Sequence, residues 1–156
     1  MKISSSAFQE GKPIPSKHAY HGVVGGKNIS PPLFWVGEPE GTQSFALSII
    51  DLHPVANSWI HWLVINITKD CKSLSEAASG KKMQVGSKEL YNSYGEIGYG
   101  GPQPPKGSGP HSYEITIYAL NTGSIDLSVN SSLTVFRKAI GGKVIASAKT
   151  TGIYER

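Results

Sequence analysis

The segment Gly98-Tyr-Gly-Gly-Pro-Gln-Pro-Pro-Lys-Gly-Ser-Gly-Pro-His-Ser-Tyr-Glu-Ile-Thr-Ile-Tyr-Ala-Leu120 decides how the chain is read. Its first half sets prolines at 102, 104 and 105 among glycines, a composition that supports neither helix nor central strand, because proline lacks a backbone donor and glycine gains least from regular structure. Its second half is β-branched and aromatic, and Tyr113, Ile115, Ile117 and Ala119 fall on one face of a strand. His111 extends that row by one step of two. A stiff loop therefore delivers a histidine and a tyrosine to the entrance of a strand, on its apolar face.

Two further strands flank this one in the reading. Ser44 to Asp51 places Phe45, Leu47 and Ile49 on one face, with Asp51 as the next position on that face. Trp59 to Ile67 is apolar on both sides, as a central strand must be. Simple alternation groups His61 with Trp59, Leu63, Ile65 and Ile67, opposite Ile60, Trp62 and Val64. The eight-position gap holding His53, Pro54 and Asn57 predicts an antiparallel hairpin. With the 113–120 strand also antiparallel to 44–51, Asp51, His61, His111 and Tyr113 meet at one edge of one sheet.

Elsewhere the pattern is plainer. Lys2 to Phe8 reads as a short strand and Glu10 to Pro15 as irregular. His18, Tyr20 and His21 read as surface loop. Ile29-Ser-Pro-Pro-Leu-Phe-Trp35 is stiff and lays Leu33 and Trp35 against the body. Gly37 to Thr42 is a turn. Leu74 to Ala78 predicts a short helical turn, and Gly80 to Tyr94 a surface loop around one short strand. Asn130 or Ser131 caps a helix to about Ile140, with Leu133, Phe136 and Ile140 at helical spacing and Gly141-Gly142 as its stop. Lys143 to Ile153 is a last strand.

The totals set limits. A chain of 156 residues with 18 Gly and 10 Pro is one domain over 1–156 by the usual length rule, rich in turns and so mostly β. The net charge of +4 is spread out, with no Lys/Arg run longer than two, so nucleic acid and anionic membrane are not expected partners. A single cysteine, Cys71, excludes an internal disulfide and fits a reducing compartment. Nothing at the N-terminus has signal-peptide character and no apolar run reaches membrane-spanning length, so the expected location is cytoplasmic without stable membrane insertion.

Four polar side chains gathered on an apolar face cost stability unless satisfied, so they form either a hydrogen-bonded network or a site. The glycine-rich loop, with phenol and imidazole donors beside it, suits a small anion such as phosphate, with Asp51 orienting a histidine. Two other chemistries compete. Asp51, His53, His61 and His111 are metal-ligating types, so a metal-assisted hydrolase is one alternative, although no tight ligand spacing supports it. A nucleophilic hydrolase would have to use Ser108, since no Gly-x-Ser-x-Gly elbow exists.

Ile29-Ser-Pro-Pro-Leu-x-Trp35, Ser44-Phe-Ala-Leu leading to Asp51, Trp59-Ile-His-Trp-Leu-Val-Ile-Asn66 and Gly98-Tyr-Gly-Gly-Pro-x-Pro-Pro-x-Gly with His111-x-Tyr113 together resemble the phosphatidylethanolamine-binding protein family, in its bacterial and archaeal branch, which is related to Raf kinase inhibitor protein. The resemblance implies a mostly-β, sandwich-like fold: a large central antiparallel sheet, Greek-key connections and one or two short helices. It implies a non-catalytic pocket at a sheet edge for phosphate-bearing head groups or other small anions, built from Asp51, His61, His111 and Tyr113 and walled by Trp59, Gly101, Pro104 and Pro105. It requires no cofactor. It also implies, as a second reading, an inhibitor of a protease or kinase acting through protein contact, and a homodimer as an assembly.

Two departures stand out. The family's usual Asp-Pro-Asp-Ala-Pro is here Asp51-Leu-His53-Pro-Val55, which exchanges a carboxylate for the imidazole of His53. The expectation is a titratable donor beside the pocket and stronger anion binding below about pH 6.5. The chain also ends on its last strand, without the C-terminal helix that borders the pocket in eukaryotic members, which predicts a more open pocket. Gln103 in place of a common Cys is expected to matter little.

Overall fold

A computed structural model describes residues Met1–Arg156. In chain order the elements are β1 (Lys2–Ser4), β2 (Lys12–Pro13), β3 (Leu33–Val36), β4 (Ser44–Asp51), β5 (Ile60–Thr68), β6 (Ser73–Leu74), β7 (Lys88–Glu89), β8 (His111–Leu120), α1 (Leu133–Gly141) and β9 (Val144–Tyr154). Six strands form the large sheet in the order β2-β9-β8-β4-β5-β7, and β1, β3 and β6 form a small one. Every pairing is antiparallel except the short β2–β9 contact. The β4–β5 hairpin is followed by a crossover that brings β8 to the other side of β4, giving the mostly-β architecture that the sequence implied.

β4 is the spine of this arrangement. All eight of its residues are buried, because both faces of the sheet are covered. On one face Phe45, Leu47 and Ile49 join Ile3, Leu33 and Trp35 of the small sheet, and Trp35 meets Phe45 edge-on at 5.5 Å between ring centroids. On the other, Ala46 and Ile50 pack with Leu63, Ile65 and the α1 residues Phe136 and Ile140.

The face assignment of β5 from simple alternation is corrected by two bulges. Ile49 and Ile50 are consecutive on β4 but pair with Trp62 and Ile60, leaving His61 as an extra residue. Phe45 and Leu47 pair with Ile67 and Val64, so a second extra residue falls at Asn66, whose φ of 59° is left-handed. Trp62, Val64 and Ile67 therefore share the Phe45 face, while Leu63 and Ile65 turn to α1. Asn tolerates the left-handed region, and here its side chain pairs with the Ile125 backbone in both directions, at 3.1 Å and 2.7 Å.

Three smaller expectations change. Leu74 to Ala78 forms no helix: Ser73–Leu74 pair with β3, and Ala77 takes a φ of 60° and donates its N–H to the Ser30 carbonyl. The cap of α1 is Ser132, whose hydroxyl accepts from Val135 N at 3.3 Å, since Ser128, Asn130 and Ser131 close a turn among themselves. His18 is fully buried, with Nδ1 donating to the Ile29 carbonyl at 2.6 Å, whereas His21 is exposed as expected.

Because Phe136 is fully buried at the centre of the second-face cluster with Leu63, Ile65, Ile125 and Leu127, Phe136→Ala should cost about 3–5 kcal/mol, against about 1 kcal/mol for removing the cap in Ser132→Ala. Urea unfolding midpoints of the two variants check this ranking.

Candidate functional site at the β4–β8 edge

The end of β4 and the start of β8 lie side by side because the two strands pair along their whole length, with Asp51 opposite Tyr113. Asp51 Oδ2 accepts a hydrogen bond from His111 Nδ1 at 2.6 Å, and Asp51 Oδ1 accepts from the backbone N–H of His53 at 2.8 Å. Both side chains of the pair are nearly inaccessible, at 3 % for Asp51 and 1 % for His111. The other ring nitrogen of His111 is engaged too: Nε2 lies 2.9 Å from Ser108 Oγ. The Ser108 hydroxyl has one hydrogen and a second acceptor in reach, the Pro105 carbonyl at 2.7 Å.

His61 arrives by a different route. Its position as the extra residue of the β5 bulge turns it toward the Asp51 face, where its ring meets the Tyr113 ring edge-on at 5.0 Å. Its Nδ1 lies 2.6 Å from the Gly100 carbonyl, which can only accept, so Nδ1 carries the proton. Burial holds its pKa down at about 4, against the partial support of that carbonyl, so the ring is neutral at pH 7. Its Nε2 is then a bare acceptor.

Asp51, His61, His111 and Tyr113 line one cavity of about 260 Å³. Trp59, Pro104 and Pro105 wall it, as the resemblance implied, together with Val55, Ala56, Tyr94 and Gln103. No lysine or arginine lines it. Tyr113 is 1 % exposed and its hydroxyl has no hydrogen-bond partner. Burial first, then the Asp51 charge, pushes that phenol far above its usual range, so it stays a donor.

Two expected lining residues lie elsewhere. Gly101 does not reach the cavity. Its Cα faces the backbone of His18 to Tyr20 so closely that a Cβ would sit 2.1 Å from the His18 carbonyl oxygen. Its N–H donates to Asn28 Oδ1 at 2.7 Å and its carbonyl accepts from the Tyr94 hydroxyl at 2.9 Å, so it anchors the loop. His53 is also outside the cavity. It stacks on the His111 ring at 3.9 Å, and its Nδ1 accepts from Val55 N at 3.3 Å, starting the short 3-10 turn Pro54–Ala56. It therefore lies beside the cavity against His111, and because its Nδ1 accepts, its ring proton sits on Nε2.

Residue-by-residue reading missed Tyr94, Val55 and Ala56, and discounted Gln103. Tyr94 lies in a stretch without periodicity, yet it stacks on Tyr20 at 4.0 Å and stands edge-on to Trp59 at 5.4 Å. The only signal was two tyrosines within the polar segment 91–94, which points to no particular contact.

No three His, Cys, Asp or Glu side chains converge to hold a metal ion. Asp51, His111 and Ser108 are linked in the order of a nucleophilic triad, but Ser108 does not line the cavity. Its backbone N–H closes onto the Pro105 carbonyl at 3.2 Å instead of facing a developing oxyanion.

A two-layer β fold with a buried Asp–His–Tyr cluster at the sheet edge, under a Gly/Pro loop, is now defined. The chain belongs to the phosphatidylethanolamine-binding protein family, whose sequence pattern matches residues 4–155. It is 35% identical to the UPF0098 protein YbcL of Escherichia coli over 159 residues, covering 99% of this chain and 87% of that protein. It is 37% identical to a UPF0098 protein of Methanothermobacter thermautotrophicus, covering 100% of this chain and 99% of that one. The crystal structure of E. coli YbcL, described as a new member of the mammalian PEBP family, superposes with a TM-score of 0.93 over 99% of this chain and 98% of that one. No helix is long and apolar enough to cross a membrane.

The neutral, buried His61 makes a pH prediction. Its folded pKa of about 4 lies below the ordinary 6.5, so between those values the unfolded chain binds more protons and stability rises with pH. On acidification from pH 7 to 4 this one group should withdraw about 3 kcal/mol. Thermal melts across that range should show the loss, and His61→Asn should flatten the slope.

Proposed function

We propose that this protein binds a small phosphate-bearing or other oxyanionic ligand at the β4–β8 edge, as a binding or regulatory protein and not as a catalyst. The observation that carries this reading is the gathering of Asp51, His61, His111 and Tyr113 on the wall of one cavity at the sheet edge. The cavity volume of about 260 Å³ falls just below the roughly 300–1,000 Å³ of sites for drug-sized molecules, so it suits a head group or a free ion. The family's name and the sequence similarity to its bacterial and archaeal members support the same reading.

A second reading has one feature in its favour. Leu52, Val55 and Trp59 expose apolar surface around the mouth, which would serve a protein partner such as a protease or kinase. One solved neighbour is a carboxypeptidase Y inhibitor in complex with its cognate proteinase, but at 16% identity it shares the fold alone. Inhibition of a serine carboxypeptidase that is lost in Trp59→Ala would establish this reading over the first.

For the ligand reading, phosphate at 100 times its Kd should stabilise the wild type by about 2.7 kcal/mol. Tyr113→Phe should remove most of that ligand-dependent gain while leaving the ligand-free protein at least as stable, because the unpaired hydroxyl disappears without loss of the ring. Melting curves with and without phosphate read both effects.

A further inference from the structure

We infer that the guanidinium of Arg156 is the cationic anchor of the site, gripping two oxygens of the bound oxyanion from the rim of the cavity. This inference rests on the ligand-binding reading above and adds to it a residue and a source of charge.

The side chains that line the cavity offer an anion little positive charge. His61 is neutral, with its ring proton spent on the Gly100 carbonyl. His111 has both ring nitrogens engaged, one by Asp51 Oδ2 and the other by Ser108 Oγ. Asp51 lines the cavity, and no lysine or arginine does. Any fixed positive charge for the ligand therefore comes from beside the cavity.

The backbone places Arg156 there. β9 ends at Tyr154, which pairs with His111 at the start of β8. Two residues further on, the Arg156 carbonyl accepts the Gly107 N–H at 3.1 Å. That bond fixes Arg156 to the 105–108 turn, which carries Pro105 in the cavity wall and sets Ser108 against His111. The charge is felt at the wall as well. Burial, then the charges of Tyr20 and Asp51, push the phenol of the lining residue Tyr94 far above its usual range, and Arg156 draws it back.

Arg156 is also uncommitted. The lysine ion pairs are Lys17–Glu76, Lys72–Glu38 and Lys149–Glu114, and no carboxylate pairs with Arg156. Its Nε is fully buried without a hydrogen-bond partner, whereas Nη1 and Nη2 are neither buried nor bonded to the protein. The inner edge of the guanidinium thus packs against the protein and leaves its Nη edge outward. A planar fork held in this way matches two oxygens of one phosphate or carboxylate group. Lys106 is exposed on the same turn, one residue before Gly107, but an ammonium is a point charge and offers no fork.

Isothermal titration with inorganic phosphate at pH 7, on the wild type, Arg156→Gln, Arg156→Lys and Lys106→Gln, tests this. Arg156→Gln is expected to weaken binding by about tenfold or more, and Lys106→Gln, which removes the same charge from the same turn, by less than about threefold. Arg156→Lys is expected to fall between the wild type and Arg156→Gln. Added sodium chloride should weaken the wild type more steeply than Arg156→Gln, because one exposed charge contact has gone. Arg156→Gln equal to the wild type overturns the inference and leaves the oxyanion reading standing. Arg156→Lys equal to the wild type overturns it as well, since charge without a fork would then suffice. Equal losses in Arg156→Gln and Lys106→Gln also overturn it, since a diffuse field would then replace the contact. Absence of phosphate binding by the wild type overturns both readings. A further check needs no variant. The Arg156 Nε–H is shielded from solvent and should give a proton–nitrogen resonance that shifts on phosphate addition; a resonance unmoved at saturating phosphate overturns the inference.

Discussion

The hydrogen bond from His111 Nδ1 to Asp51 Oδ2 is the contact on which the site's order depends. It ties the last residue of β4 to the first residue of β8, where backbone pairing ends and a Gly/Pro loop begins. Burying two ionisable side chains is costly unless each is satisfied, and removing one partner of such a pair typically costs about 3–5 kcal/mol. Here both partners find further contacts, with the Ser108 hydroxyl shared between His111 and the Pro105 carbonyl. The His53 backbone N–H serves the second Asp51 oxygen, and Ser108 serves the far side of His111. The loop is thus fixed from within the sheet: Ser108 can reach His111 only with the 105–108 turn closed, and that turn carries Pro105 in the cavity wall.

Much of the frame was legible in the sequence because it rests on period-two alternation over long strands. β4 and the β8 face holding Tyr113, Ile115, Ile117 and Ala119 obey that rule, and Leu33 and Trp35 pack as their stiff segment implied. The meeting of Asp51, His111 and Tyr113 at one sheet edge also followed from strand ends and faces, though not which histidine Asp51 holds. β5 shows the limit. A bulge adds one residue and flips every side chain beyond it, and nothing in the composition of Ile60-His61-Trp62 announces one. Alternation put His61 opposite Trp62, yet both belong to the Asp51 side.

Other misses share a physical cause: they depend on which atom of a side chain is already used. His18 and His61 each spend Nδ1 on a backbone carbonyl, from Ile29 and Gly100 respectively, and sequence shows a histidine but not its partner. Gly101 reads as a loop glycine in a binding segment, but close backbone approach to His18 demands it. His53 reads as an added donor beside the pocket, and sequence could not show that its Nδ1 goes to Val55 and its ring stacks on His111. Tyr94 comes from a segment without periodicity and is placed by stacking on Tyr20, a residue 74 positions away (94 − 20).

That bookkeeping of atoms changes what the cluster means. Two histidines and a tyrosine beside a glycine-rich loop suggest three donors for an anion, and by residue type alone the reading is natural. The ring nitrogens say otherwise, because a neutral imidazole has only one proton and a backbone carbonyl can only take it. Asp51 reinforces the effect: it holds His111 in place and sets a carboxylate in the wall, whose own lining has no lysine or arginine, while Arg156 is near enough for its charge to act on Tyr94.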